Sequence, residues 1–372
     1  VGVQQVASLA TGVEDRVRRA VARALPGCVD ADPLVRPSEH ADLQSNAALA
    51  VAKAARMAPA RLAELLATEL RADPSGPIAR AEVSGPGFLN ITLDNAALWE
   101  QVAARVAGER LGVGMPELGR RTVIDYSAPN IAKEMHVGHL RTTILGDSLA
   151  RIIGCLGGEV IRQNHVGDWG TQFGMLIQYL DEHPDARWHQ AELDAGTDAA
   201  SALDGLYRAA RVVFDADPDF ADRGRRRVVA LQAGDPATIA TWRAIVAESE
   251  VAFGQLYQRL GVLLTGDDYD GESAYNDQLA DVAAELESIG AAQVSNGALC
   301  VFSDGFTGPD GAPIPLLVRK TDGGYGYGTT DLATIRHRIR DLKADRLLYV
   351  VDARQSLHFA QIFAAARTAG WL

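Results

Sequence analysis

An α/β fold built on a Rossmann-type parallel sheet is predicted from three features of one stretch. An apolar run, Val123-Ile124-Asp125-Tyr126, ends in a polar loop, a long helical pattern follows, and a second strand is expected over 159–163. The helix is carried by Leu140, Ile144, Leu145, Leu149, Ile152, Ile153 and Leu156, which recur at spacings of three and four. Strand, crossover helix and returning strand make the βαβ unit of open parallel sheets, which bind ligands beyond their strand ends. The expected layout is a small α/β domain over 1–110, a linker over 111–121, and the parallel-sheet domain over 122–372. A mostly helical insertion interrupts the last of these at about 181–264.

In the first part, the spacing predicts a helix over 13–25 with Arg16, Arg18, Arg19 and Arg23 on its polar side. Further helices are expected over 44–57 and 59–70, the second with Pro59 in its first turn. Alternation predicts strands over 78–84 and 88–93, joined by Gly85-Pro86-Gly87. A helix over 96–107 precedes the Gly- and Pro-bearing stretch 112–119. The insertion reads as polar and helical, and holds Arg223-Gly224-Arg225-Arg226-Arg227, the densest basic cluster. Such a cluster is first a solvated face and only second an RNA contact. Later strands are expected over 325–328 and 346–352, with helices over 330–340 and 356–368.

Composition sets wide bounds. With 372 residues, 47% hydrophobic and 23% charged, the chain has room for two or three domains of ordinary globular character. Cys28, Cys155 and Cys300 are odd in number and far apart, so no disulfide framework is expected, and a reducing, cytoplasmic setting is favoured. No apolar run is long enough for a membrane span, and Val1-Gly2-Val3-Gln4-Gln5 lacks the pattern of a signal peptide. Of the net charge of −12, residues 1–110 carry −1, from 12 Lys plus Arg against 13 Asp plus Glu, leaving −11 for the rest. Phosphates respond to fields within about 10 Å at ordinary salt, so composition neither supports nor excludes an RNA partner.

His136-Val137-Gly138-His139 stands where the first strand's loop meets the helix. A helix start offers unpaired N–H groups and partial positive charge, a natural seat for phosphate. Two imidazoles three residues apart can donate to that phosphate, and Gly138 lets a flat base lie close to the backbone. No Cys lies near and no His-Glu-x-x-His or paired-Cys spacing occurs, so no metal site is read here.

His-x-Gly-His after a strand resembles the first signature of class I aminoacyl-tRNA synthetases. The runs Ser127-Ala128-Pro129-Asn130-Ile131-Ala132-Lys133 and Asn164-His165-Val166-Gly167-Asp168-Trp169-Gly170-Thr171-Gln172-Phe173-Gly174 resemble the arginyl-tRNA synthetase family. Asp42-Leu43-Gln44-Ser45-Asn46 and Ser84-Gly85-Pro86-Gly87-Phe88-Leu89-Asn90 resemble its additional N-terminal domain, which contacts the tRNA elbow. The resemblance implies activation of L-arginine with ATP and Mg²⁺ and transfer to the 3′ end of a cognate tRNA; a monomer is expected. It assigns phosphate contacts to His136 and His139, the adenine seat to Gly138, and phosphate stabilisation to Lys133, in place of a lysine of the second signature loop. Tyr327, Asp331 and Glu272 would hold the guanidinium, Asn130 and Gln355 the amino-acid head group, and Asp125, at an acidic family position, would also contact arginine. Simpler roles compete: Asp331 as a helix N-cap, Glu272 as a solvated acid beside Asp267 to Asp270, and Tyr327 as a strand core residue.

The second signature loop and the anticodon-binding domain of that family would lie beyond Leu372, so this chain is expected to bind arginine, to bind ATP weakly and to fail at charging tRNA. Two other readings fit the same residues: a class I-like nucleotidyltransferase needing no tRNA, and a non-catalytic binding protein derived from a synthetase.

Overall fold

The computed structural model describes residues 8–28, 31–73, 75–194, 199–308 and 310–372; the Val1 to Gln5 stretch considered above for a signal peptide lies outside them. The chain divides into two compact units, Val1–Pro116 and Glu117–Leu372.

In the first unit, helix α1 (Leu9–Ala24), strands β1 (Val35–Pro37) and β2 (Leu43–Ser45), helices α2 (Ala47–Ala55) and α3 (Pro59–Ala72), strands β3 (Ile78–Ser84) and β4 (Phe88–Leu93), and helix α4 (Asn95–Val106) follow in order. The strands form an antiparallel sheet in the order β1-β2-β4-β3. Val13, Val17 and Val21 of α1, Leu62, Leu66 and Leu70 of α3, and Leu89 and Ile91 of β4 share its core. The helix expected from residue 44 starts later because Leu43–Ser45 is a strand. Gln44 donates to the Asn90 side chain across the sheet at 2.8 Å, and the helix begins after Asn46.

Arg16 also departs from the expected polar face of α1. It is buried, donating to the Leu70 carbonyl at 2.7 Å and to that of Asp73. The last carbonyls of α3 lack partners within their own helix, and this guanidinium supplies them. We expect Arg16→Ala to lower stability by about 1–3 kcal/mol, measured by urea unfolding, because it leaves those carbonyls unmet; an unchanged midpoint would contradict this.

The second unit opens on β5 (Arg121–Tyr126), α5 (Val137–Cys155) and β6 (Glu159–Gln163). Helix α6 (Thr171–Glu182) comes next, and helices α7 (Ala199–Ala216), α8 (Pro218–Gln232) and α9 (Pro236–Leu260) lie in the region where a helical insertion is expected. Then come α10 (Leu279–Ser288), an antiparallel meander of β7 (Gln293–Ser295), β8 (Ala298–Val301) and β9 (Leu316–Arg319), and finally α11 (Tyr327–Arg340), β10 (Arg346–Val350) and α12 (Ser356–Thr368). Strands β10, β5 and β6 lie side by side and parallel, with Val123 opposite Leu347 on one side and Ile161 on the other.

Helix α5 is where periodicity predicted it, yet it buries a different face. Thr143, Gly146, Asp147, Ala150 and Ile153 turn inward, while Leu140, Ile144, Leu145, Leu149 and Ile152 are exposed. The reason is the close approach to β5: a Cβ on Gly146 would stand 2.3 Å from the Tyr126 side chain. Only small or specifically bonded residues fit there. Asp147 meets that bonding role, accepting from the Leu263 N–H at 2.6 Å and pairing with Arg151 at 2.7 Å.

The strand expected over 325–328 is absent. Tyr325 makes only an isolated bridge to Arg319, and α11 starts at Tyr327 after Gly326. Its first turn packs on β9, where the Thr329 hydroxyl donates to the Val318 carbonyl and Gly328 lies against Leu316. The basic cluster of α8 is paired locally: Arg223 with Glu182, Arg225 with Asp222 and Arg227 with Asp181.

Candidate active site

A cavity of about 630 Å³ opens beyond the ends of β5, β6 and β10. Asp125, Asn130, His136, Gly138, His139, Glu272, Tyr327, Asp331 and Gln355, nine of the ten residues singled out above, line it. Lys133 is the exception. Its ammonium sits 4.4 Å from the ring centre of Tyr207 on α7.

At one end, the two histidines interlock. The Gly138 N–H donates to His136 Nδ1 at 3.1 Å, and the His136 N–H donates to His139 Nδ1 at 3.3 Å, a reciprocal cap on the first turn of α5. Both Nδ1 atoms therefore accept, which places a proton on each Nε2. The rings stack with centres 3.9 Å apart. Burial, and then the neighbouring His136, lower the His139 pKa to about 4, so its ring is neutral at neutral pH. Gly138 has a nearer reason than the one inferred from sequence: a Cβ there would meet His136 Cε1 at 2.8 Å. The glycine first makes room for the imidazole.

The other end is acidic. Glu272 lies in a short segment held by Asp168, whose carboxylate accepts from the Ser273 N–H at 2.8 Å and from its hydroxyl at 2.5 Å. Burial, opposed by His165 and aided by the charges of Asp168 and Asp331, raises the Glu272 pKa to about 7. It is thus no member of a solvated acid cluster. Asp331 stands in the second turn of α11, so it does not cap that helix, and one of its oxygens accepts from His358 Nε2 at 2.6 Å. Tyr327, at the helix start, is 61% exposed and is no core residue. Gln355 lies in a short turn before α12, and His358 on the helix itself also lines the cavity.

Behind the cavity wall lies a buried cation. Arg338 of α11 is fully buried, 2.9 Å from the Asp125 carboxylate and 3.3 Å from that of Asp270, and it also donates to Gln163. Burial alone would raise the Asp270 pKa, but the bond from His165 and the Arg338 charge hold it below the usual range. His165, which lines the cavity, is driven upward against burial by Asp270 and Asp125. Asp125 is therefore in the cavity wall with its carboxylate already engaged.

The family description "tRNA synthetases class I (R), catalytic domain" matches residues 103–372, and "Arginyl tRNA synthetase N terminal domain" matches 11–93. The chain belongs to the arginyl-tRNA synthetase family. It is 68% identical over 369 residues to the arginine–tRNA ligase of Frankia casuarinae and 51% identical to that of Streptomyces avermitilis. Each alignment takes in 99% of this chain but only 63% and 62% of the relative. Among solved structures, the arginyl-tRNA synthetase of Plasmodium falciparum superposes with a TM-score of 0.78 at 26% identity, over all of this chain and 63% of that one. The Thermus thermophilus arginyl-tRNA synthetase shares the fold, with a TM-score of 0.71 at 21% identity over 98% of this chain and 63% of that one.

Several lining or supporting residues were not foreseen within this family frame. Arg338 lies three residues after the buried Ile335, on the apolar side of α11, and a cation at such a position demands buried acids. His358 lies one turn beyond Gln355, a spacing that could have drawn it to the same mouth. Asp168 stood inside a run used only for its family likeness. Arg338→Met should cost about 3–5 kcal/mol in urea unfolding, since it strands the Asp125 and Asp270 carboxylates in the interior. Adding Asp270→Asn should recover part of that loss; a single variant as stable as the parent would refute the pairing.

Proposed function

We propose that this chain is the amino-acid- and ATP-binding part of an arginyl-tRNA synthetase, activating L-arginine to arginyl-adenylate for transfer to the 3′ end of a cognate tRNA. One observation carries the proposal: an acid end with Glu272, Tyr327 and Asp331 and an imidazole end with His136, Gly138 and His139 line one cavity. A guanidinium presents five donors in a planar fork, which suits carboxylates placed on separate elements. Glu272 and Asp331 would take it, with Tyr327 at the rim. Asn130 and Gln355 would hold the head group. Asp125, engaged by Arg338, serves as wall and anchor.

In the reaction, the arginine carboxylate attacks the α-phosphorus of ATP; an O–P bond forms as the bond to the departing pyrophosphate breaks. The attacking carboxylate is already ionised, so no general base is required. His136 and His139 would donate from Nε2 to phosphate oxygens whose charge grows in the transition state, with the α5 start adding its N–H groups. Gly138 would lie under the adenine. Mg²⁺ would arrive on the ATP phosphates; among the described residues no three His, Cys, Asp or Glu side chains form a metal-binding group. Lys133 would add positive charge at the phosphates.

Contact of the first unit with the tRNA elbow, a monomeric state and a cytoplasmic setting belong to the same proposal. No helix among the described residues is long and apolar enough to cross a membrane. Aminoacylation itself is proposed for the whole protein, because the matched relatives extend well past the length aligned here.

In calorimetric titration, arginine should bind at least about 100-fold more tightly than citrulline, which cannot pair with the buried acids. Equal affinity for the two would sink the arginine reading. A bound guanidinium needs Glu272 ionised, and the empty site titrates at about 7. Affinity should therefore rise up to about tenfold from pH 6 to pH 8, with nearly one proton released per arginine at pH 6. Glu272→Gln should bind weakly and lose that pH dependence; a flat profile in the parent chain would remove Glu272 from the site.

A further inference from the structure

The segment between β5 and α5 is strained. Ser127, Ala128 and Ala132 hold φ of 74°, 48° and 61°, a region that side-chain-bearing residues rarely adopt. Such a conformation persists only where the surroundings fix it. Here part of the fixing comes from the helical insertion. Tyr257 of α9 bonds the Ser127 hydroxyl at 2.7 Å and accepts from Asn164 at 3.0 Å, while Asn164 in turn accepts from the Ala128 N–H at 2.9 Å. Ser249 of α9 accepts from the Ala132 N–H at 3.1 Å. Ser201 of α7 donates to the Glu134 carboxylate at 2.5 Å. Between these anchors, the Lys133 ammonium rests over the Tyr207 ring of α7.

Three successive residues, Ala132, Lys133 and Glu134, are thus each tied to an insertion helix, with only Met135 between them and His136. A lysine carries four rotatable bonds and loses considerable freedom when fixed. A ring face orients the ammonium without neutralising it, as a carboxylate would, so its charge stays available to phosphate. We propose that Tyr207 is a positioning residue for ATP binding: its ring fixes the Lys133 ammonium three residues before His136. This rests on the phosphate role assigned to Lys133 above, and it gives the insertion a part in building the nucleotide site.

A double-mutant cycle tests it. ATP and arginine affinities are measured by calorimetry for the parent chain, Lys133→Met, Tyr207→Leu, Tyr207→Gln, Tyr207→Phe and Lys133→Met/Tyr207→Leu. Lys133→Met should weaken ATP about tenfold, and Tyr207→Leu and Tyr207→Gln about fivefold, while Tyr207→Phe, which keeps the ring, stays within about twofold. In the Lys133→Met background, Tyr207→Leu should have no further effect. Arginine affinity should stay unchanged throughout, which a general loss of structure would not allow. If Lys133→Met weakens ATP while loss of the ring does not, or if Tyr207→Leu weakens the Lys133→Met chain equally, the positioning role is overturned alone. If Lys133→Met leaves ATP affinity unchanged, the phosphate role of Lys133 falls and the proposal with it.

Discussion

The buried Arg338 guanidinium is the constraint on which the cavity depends. It ties α11 to β5 through Asp125, to the segment before Glu272 through Asp270, and to the end of β6 through Gln163. These elements come from distant parts of the sequence, and each carries or adjoins a cavity residue. A fully buried charge is tolerable only with partners in place, so these four elements cannot drift apart without exposing it to an unpaired interior. That is a stricter restraint than apolar contact, which tolerates sliding. It also explains why an acid at the end of β5 lies in the cavity wall without being spare.

The opposite end is fixed by other means. Among the described residues no buried ion pair holds the loop before α5; a set of hydroxyls and amides does, acting on backbone in left-handed conformation. Hydrogen bonds of this kind are individually modest, and strain of about 1–3 kcal/mol per residue works against them. The two ends of the cavity thus differ in stiffness by construction. The acid end is pinned by charge, whereas the loop before the imidazole end is held by hydroxyl and amide bonds from α9 and Asn164.

Much of this was legible from sequence, and the failures have definite causes. Strands over 78–84, 88–93 and 159–163 and the helix over 356–368 appear with the expected bounds, because alternation and turn residues acted locally and in agreement. The helix over 137–155 was visible as a period, but its buried face was not. Leucines and isoleucines marked a stripe, while the contact with β5 demanded glycine, alanine and threonine. The stretch after Tyr325 looked like a strand because its first helical turn is rich in Gly and Thr, both weak helix formers, which tertiary packing on β9 overrides. Arg16 and Arg338 were invisible as buried groups, since charge in a helical pattern reads as surface until its partners are known. Of the candidate site, the signature loop and the two acids could be placed at strand and helix ends. What sequence could not supply was the pairing among them: His358 with Asp331, Arg338 with Asp125, Tyr207 with Lys133.

Those pairings decide the polarity of the cavity. If Asp125 and Asp331 were both free, the pocket would hold three unshared acids and would attract any small cation. Instead Arg338 takes one carboxylate, His358 occupies an oxygen of the second, and burial leaves the third, Glu272, close to half protonated at neutral pH. The empty pocket is thereby spared much of the repulsion among its acids. A ligand must then offer enough hydrogen-bond donors, in the right plane, to draw the proton from Glu272 and share Asp331 with a histidine. A compact ammonium satisfies the charge but not the geometry, and a neutral urea satisfies the plane but not the charge. At the far end, imidazoles whose Nδ1 atoms both accept present Nε2–H groups, so phosphate is bound by donors that strengthen as negative charge builds on its oxygens. Discrimination at one end and rate at the other thus follow from a single rule: few groups in this cavity carry an uncommitted charge until the ligand arrives.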